Sequence, residues 1–388
     1  MKKLQVLSVG GGSGGHVTPV VAVMAELKKQ HQTVELRFWC DKSFAPQAKK
    51  IIADFDKDLY VQTVIAGKLR RYHHLKWWQH FTIPSVVLPN IRDAFLVGVG
   101  VVQSLIRLIV WRPDVIFAKG GYVCLPVGWA AWLLRIPLVI HDSDAHPGLT
   151  NRLLAPIAKS IATGVSLRHY NYPTSKTTYV GIPIDSAYQR FSPPEQIEAK
   201  RRLGFDTKRP LVAVVGGGQG SKQINHAVAT QLHAILPHAN VYLVSGSTQY
   251  DEMRSLTPQD DNRFQLKDFV SHGLVDVIGA ADIVVSRAGA TALLELAAMA
   301  KPTILIPSKR LVWQVKHAAV YVEAQAVVTL DENRFDDDGD KSLAKTIVGL
   351  LKNKTIREKL AQRLHRMARP HAASDMAAIL LRVAKRRR

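Results

Sequence analysis

Cysteine is nearly absent: Cys40 and Cys124 are the only two in 388 residues, and their separation is not that of metal ligands. A disulfide framework is therefore excluded, and reduced thiols in a cytoplasmic setting are expected. Acidic residues are scarce as well, 31 against 52 lysines and arginines, giving a formal charge of +21. That balance points to an anionic partner and leaves nucleic acid, an anionic membrane face and phosphorylated substrates open. Long uninterrupted apolar runs are lacking. Ala94 to Val110 comes nearest, but Gln103 and Arg107 break it and its length sits at the lower limit for crossing a bilayer. It reads as a partly buried helix. The apolar run after Met1-Lys2-Lys3 is too short for a secretory signal and ends in glycine. Phe335 to Asp340 resembles part of a calcium loop, but Gly339 is misplaced and no glutamate closes it; a surface loop is expected. With 47% hydrophobic and 21% charged residues, the chain is globular and long enough for two or three domains.

What the chain does have is organised around Gly10-Gly11-Gly12-Ser13-Gly14-Gly15-His16. The run Leu4 to Val9 before it reads as a buried parallel strand, and Val20 to Lys29 after it as a helix. Glycines let backbone N–H groups approach an oxyanion, and a following helix N-terminus adds positive potential, so the loop reads as a phosphate cradle. His16, where loop becomes helix, has an ordinary pKa near neutrality and suits proton transfer; the alternative is a tight turn whose histidine caps or packs. Further strands are read at Val34 to Trp39, Val61 to Ile65, Val115 to Phe117, Leu138 to Ile140 and Thr178 to Val180. A second glycine turn, Lys119-Gly120-Gly121-Tyr122, follows the strand Val115 to Phe117. Asp142-Ser143-Asp144 either binds a cation or caps a helix and positions a ligand. Gly181-Ile182-Pro183 is the linker, and residues 186–209 read as a surface crossing.

Leu211 to Val215 restarts the pattern, followed by Gly216-Gly217-Gly218-Gln219-Gly220-Ser221-Lys222. The loop lacks the Gly-Lys-Ser/Thr order of a Walker P-loop, which argues against an NTPase. Strands at Val241 to Val244, Ile283 to Val285, Thr303 to Ile306 and Val327 to Leu330 alternate with helices, and Leu350 to Arg388 is helical. Such alternation implies parallel sheets with ligands at the strand C-terminal ends. The fold expected is α/β, with two Rossmann-like domains facing a cleft. Residues 1–181 form the first and 183–369 the second, and the helix at 370–388 packs back on the first. Arg287 to Glu295 opens a helix after a strand. Its N-terminal amides suit a diphosphate, and Glu295 suits ribose hydroxyls or is simply an acid near a helix start. Gln314 contacts a sugar or is solvated.

In this order the motifs resemble the MurG family of GT-B glycosyltransferases, over nearly the whole chain. Gly11 to Pro19 is similar to the family's first glycine loop, Gly120 to Val123 to the second, and Gly148 to Asn151 to the turn after it. Gly216 to Gly220 is similar to the third loop, and Arg287 to Glu295 to the donor signature. The resemblance implies an inverting, metal-independent hexosyltransferase that moves N-acetylglucosamine from UDP-N-acetylglucosamine to lipid I, forming lipid II in peptidoglycan synthesis. It implies His16 as the catalytic residue. Donor contacts would come from Ser13, Gly14, Gly15, Asp144, Gly218, Gln219, Gly220, Ser221, Val270 (against uracil), Arg287, Gly289, Ala290, Thr291, Ala292, Leu293, Leu294, Glu295 and Gln314. Acceptor contacts would come from Gly120, Gly121, Tyr122 and Asn151. Gly218, Asp144, Asp185 and His317 stand where the family has serine, asparagine, arginine and asparagine, and bear on sugar and acceptor choice. No cofactor or metal is implied. A lipid-linked acceptor implies peripheral attachment to the anionic cytoplasmic face of the membrane. The basic, aromatic stretch around Lys68, Arg70, Arg71, Lys76, Trp77 and Trp78 would dock there. The alternatives are another GT-B glycolipid transferase or a UDP-N-acetylglucosamine epimerase and, in a different class, a basic nucleic-acid-binding protein. The last lacks a recognition helix and leaves the glycine loops unexplained, so no nucleic-acid partner is expected.

Overall fold

The computed structural model describes residues 3–12, 14–31, 33–69, 83–144, 147–217, 220–270, 273–337 and 339–385. The chain divides into two units, Met1–Asp185 with His371–Arg388, and Ser186–Pro370. The strands of the first are β1 (Leu4–Gly10), β2 (Val34–Asp41), β3 (Tyr60–Val64), β4 (Val115–Gly120), β5 (Leu138–Asp142), β6 (Ser160–Thr163) and β7 (Thr177–Tyr179). They pair in parallel in the order β3-β2-β1-β4-β5-β6-β7. The second unit holds β8 (Leu211–Val215), β9 (Asn240–Val244), β10 (Phe264–Lys267), β11 (Ile283–Ser286), β12 (Thr303–Leu305) and β13 (Val328–Thr329). Their order is β10-β9-β8-β11-β12-β13, again all parallel.

Parallel strands need both faces covered, which is why β4 is buried at every position. One face of the first sheet packs Val6, Phe38 and Phe117 under the Thr18–Gln30 helix and the Ala372–Lys385 helix. The other packs Leu7, Trp39 and Ile140 against Leu108 and Leu125 of two further helices. The strand order reverses between β1 and β4, and again between β8 and β11. At such a point the loops leave the carboxyl ends of neighbouring strands in opposite directions and open a crevice. Both glycine loops of the first unit lie at its reversal, and those after β8 and β11 at the second.

The Pro84–Val110 helix starts ten residues earlier than its apolar run. Its polar interruptions face the sheet edge: Gln103 Oε1 accepts from the Ile65 N–H at 2.9 Å, and Arg107 donates to Thr63 O at 2.7 Å. Its outer face stays exposed, with Phe95 at 71% and Val110 at 83%. The surface crossing expected at 186–209 instead contains the Pro193–Arg202 helix, started by a reciprocal Ser192–Glu195 cap. That helix buries Ala199 and Lys200, whose Nζ donates to Asp282 Oδ2 at 2.7 Å. The tail read as one helical stretch is three helices, Ser342–Lys352, Lys354–His365 and Ala372–Lys385.

Candidate functional site

In the first unit β1 ends in the glycine loop, and a short 3₁₀ turn, Gly14–His16, leads into the Thr18–Gln30 helix. The loop is held from below by Asp41 at the end of β2. Its carboxylate accepts the Gly12 N–H at 2.7 Å and the Phe44 N–H at 3.0 Å, and also the Ser43 hydroxyl. Burial pushes that carboxyl up, but hydrogen bonds from Ser43, Tyr122, Phe44 and Gly12 outweigh it and hold it below the usual range. Of the amides expected in the phosphate cradle, that of Gly12 is taken by this carboxylate of the same unit. Gly121, after β4, has φ +87° and touches the first loop; a β-carbon there would fall 2.5 Å from Gly11 O. The Tyr122 hydroxyl lies 3.2 Å from Ser43 Oγ, and burial pushes its pKa up to about 12.

His16 Nδ1 lies 2.8 Å from Gly11 O, a pure acceptor, so Nδ1 carries the hydrogen and Nε2 keeps the lone pair. A β-carbon on Gly120 would sit 3.3 Å from that Nε2. The expected near-neutral pKa is corrected. Burial first, then the Lys119 ammonium, pull His16 down to about 4, against the opposing pulls of Gly11 O, Asp144 and Asp41. Lys119, at the end of β4, is 1% exposed and donates to Ser143 Oγ. Burial lowers it to about 8, opposed by Asp144 and Asp142. Asp142 is raised to about 7 by burial, although the Tyr172 hydroxyl donates to it at 2.9 Å. Among the described residues no group of three or more histidines, cysteines and carboxylates is placed to hold a metal. Asn151, expected at the acceptor, is 4% exposed and donates to His141 O at 3.1 Å. Its side chain ties β5 to the Leu149–Leu154 helix.

In the second unit β8 runs into the loop whose Ser221 caps the Lys222–Ile235 helix, its Oγ accepting from Ile224 N at 3.4 Å. Gly220 has φ +75°, and a β-carbon there would collide with Ser245 O at 1.8 Å. After β11, Gly289 begins the Ala290–Ala298 helix, with no side-chain cap and no acid in its first turn. The amides of Ala290, Thr291 and Ala292 are thus the open donors of a helix start, a ready anion site. The side chains of Leu293 and Leu294 are buried in the unit, and the Leu293 amide bonds to Gly289 O at 2.9 Å. Arg287 is inside as well, donating to Glu332 Oε2 at 2.6 Å and Ile306 O at 2.9 Å. Glu332 also accepts the Lys309 N–H at 2.6 Å, and Gln314 Oε1 accepts the Ser308 N–H at 3.0 Å. These bonds fix the loop after β12 beside the start of the Ala290–Ala298 helix. Val270 and Glu295 are partly exposed, Val270 after β10 and Glu295 a turn into the Ala290–Ala298 helix. Ser13, Gly218, Gln219, Arg70, Arg71, Lys76, Trp77 and Trp78 lie outside the described residues. Asp41, Lys119 and Glu332 escape sequence reasoning, since nothing local distinguishes them from any polar residue at a strand or helix end.

Two doubly wound units with glycine-lined switch points define the GT-B architecture of nucleotide-sugar enzymes. Residues 6–163 match the glycosyltransferase family 28 N-terminal domain and residues 211–376 the glycosyltransferase family 28 C-terminal domain. The UDP-N-acetylglucosamine--N-acetylmuramyl-(pentapeptide) pyrophosphoryl-undecaprenol N-acetylglucosamine transferase of Clostridium botulinum is 32% identical over 359 residues, 92% of this chain and 93% of that protein. Transferase 2 of the same name from Bacillus anthracis is 33% identical over 79% of each chain. The crystal structure of Acinetobacter baumannii MurG superposes with a TM-score of 0.72 at 19% identity, covering 98% of this chain and 100% of that one. A UDP-GlcNAc 2-epimerase from Neisseria meningitidis, bound to UDP-GlcNAc, shares the fold with a TM-score of 0.66 at 13% identity, covering 98% of this chain and 100% of that one. The chain belongs to glycosyltransferase family 28, within its MurG family.

Proposed function

We propose that this chain transfers N-acetylglucosamine from UDP-N-acetylglucosamine to lipid I, the undecaprenyl-diphospho-N-acetylmuramoyl-peptide, forming lipid II for peptidoglycan. The observation that carries the reading is similarity along 92% of the chain to a relative whose name states this transfer. The acceptor's hydroxyl loses its proton to His16 Nε2 while its oxygen bonds the anomeric carbon. The bond from that carbon to UDP breaks on the opposite face, so the configuration inverts. A base held as low as His16 is unprotonated throughout the physiological range and accepts the proton as the bond to UDP breaks. The electrons of that bond leave on the diphosphate, whose charge meets the N-terminal amides of the Ala290–Ala298 helix and the loop at Gly220 and Ser221. Arg287 contributes by fixing that loop region rather than by touching the donor. Glu295 accepts from the ribose hydroxyls, Gln314 gives its amide nitrogen to the sugar, and Val270 lies against uracil. No metal and no cofactor enters these steps.

The acceptor's lipid tail makes the enzyme a peripheral protein of the cytoplasmic membrane face. Lys68, Arg70, Arg71 and Lys76 supply cations for anionic lipid, and Trp77 and Trp78 are residue types that settle at the interface. The exposed outer face of the Pro84–Val110 helix follows directly in the chain. An epimerase would use the same donor, and one assay separates the two. A panel of UDP-sugars is incubated with and without lipid I, in buffer and in excess chelator, and product masses are read. Lipid II forming only from UDP-N-acetylglucosamine plus lipid I, chelator or not, is the expected result. Free N-acetylmannosamine without acceptor would make the chain an epimerase.

A further inference from the structure

A lysine that is 1% exposed is expensive, because an ammonium loses its hydration on burial. At the end of β4 a methionine would fill the same volume without that cost. Lys119 lies between Ala118, buried in the core, and Gly120, which backs onto the imidazole of His16. Its Nζ donates to Ser143 Oγ, and Asp142 and Asp144 flank that serine. The geometry points to Lys119 as a positioning residue of the transfer reaction: anchored on Ser143 behind Gly120, its ammonium keeps the Nε2 lone pair of His16 free for the acceptor's hydroxyl. The acceptor in that statement rests on the transferase reading; the coupling between Lys119 and His16 does not.

The groups around His16 come from three strands of the first sheet: Lys119 ends β4, Asp41 ends β2, and His141, Asp142 and Asp144 lie on or just after β5. Lys119 opposes protonation of the ring, while Asp144 and Asp41 favour it. Removing the lysine therefore leaves the carboxylates unopposed, and the imidazole gains a proton more readily. A more basic His16 is not a poorer proton acceptor, so the rate at high pH survives the change. The acid side suffers instead, because the ring is protonated before it can act. Damage to packing alone would lower the rate at every pH.

The test uses the full chain and two readouts, titration of the His16 ring by NMR and the pH profile of kcat with UDP-N-acetylglucosamine and lipid I. In Lys119→Met the His16 titration moves up by about one pH unit or more, and the acid limb of kcat moves with it. The plateau above pH 8 is kept. Asp144→Asn moves the ring the other way, and Lys119→Met with Asp144→Asn returns it toward the parent, since one lowering and one raising charge leave together. The double variant also keeps the interior neutral. Should Lys119→Met not fold, the double variant must still titrate above Asp144→Asn. A His16 titration unaltered by loss of the lysine in either background overturns the proposal. Absence of product with the parent chain overturns the transferase reading instead and leaves the NMR result to stand or fall alone.

Discussion

At the scale of the residue, the proposed transfer assigns His16 to chemistry and Glu295 to donor affinity. His16→Ala should lower kcat by about 10²-fold or more while the KM for UDP-N-acetylglucosamine changes little. Steady-state kinetics at saturating acceptor decide this, and near-normal turnover would return the ring to loop structure. Glu295→Ala should weaken donor binding by about 2 kcal/mol through the lost ribose contact. Calorimetry with UDP is the check, and an unchanged Kd in a folded variant removes Glu295 from the site. Both residues stand out in the sequence as candidates because glycine-rich turns and helix starts have local signatures. Lys119 and Asp41 are not. Lys119 reads as the residue before a glycine turn, and Asp41 as one polar residue after an apolar strand. Their meaning comes from β1 lying between β2 and β4, an adjacency set by tertiary topology.

At the scale of the element, the Glu332 carboxylate joins three segments: Arg287 after β11, Lys309 after β12, and its own 3₁₀ turn Glu332–Asp336. Glu332→Ala leaves the Arg287 guanidinium buried without its counter-charge, a class of change that costs about 3–5 kcal/mol. Thermal unfolding should show a large loss, and a Tm equal to the parent's would contradict the hub role. Elements themselves were legible where apolar runs were long, as at β1, β4 and β8. Ser160-Ile161-Ala162-Thr163 (β6) and Phe264-Gln265-Leu266-Lys267 (β10) were not, since each has too few apolar residues to establish a period. The helix at Pro193–Arg202 carried a readable signal, serine followed three residues later by glutamate, but its charged composition hid it. The Pro84–Val110 helix shows the converse: Gln103 and Arg107 looked like breaks and are its attachment points.

At the scale of the whole molecule, the excess of positive charge bears on the proposed membrane attachment. Changing Lys68, Arg70, Arg71 and Lys76 to glutamate should abolish co-sedimentation with anionic vesicles, each cation being worth about 1 kcal/mol near the surface. UDP-N-acetylglucosamine binding should survive; a variant that sediments as the parent does would move the dock elsewhere. The Ala372–Lys385 helix has a different kind of consequence. It packs on the Thr18–Gln30 helix, places Met376 and Leu380 in the core of the first sheet, and is tied by Gln30 Nε2 to Ser374 Oγ at 3.1 Å. The first sheet is thus made early on the ribosome but roofed only after the whole of Ser186–Pro370 has emerged. Ser186–Pro370 is an unbroken stretch and has no such wait, so the part synthesised second is the part finished first. A chain stopped after Pro370 should keep its second unit resistant to limited proteolysis while the first is cut and lost. Equal resistance of both would mean the nascent first sheet needs no roof, and that its long exposure during translation carries no risk.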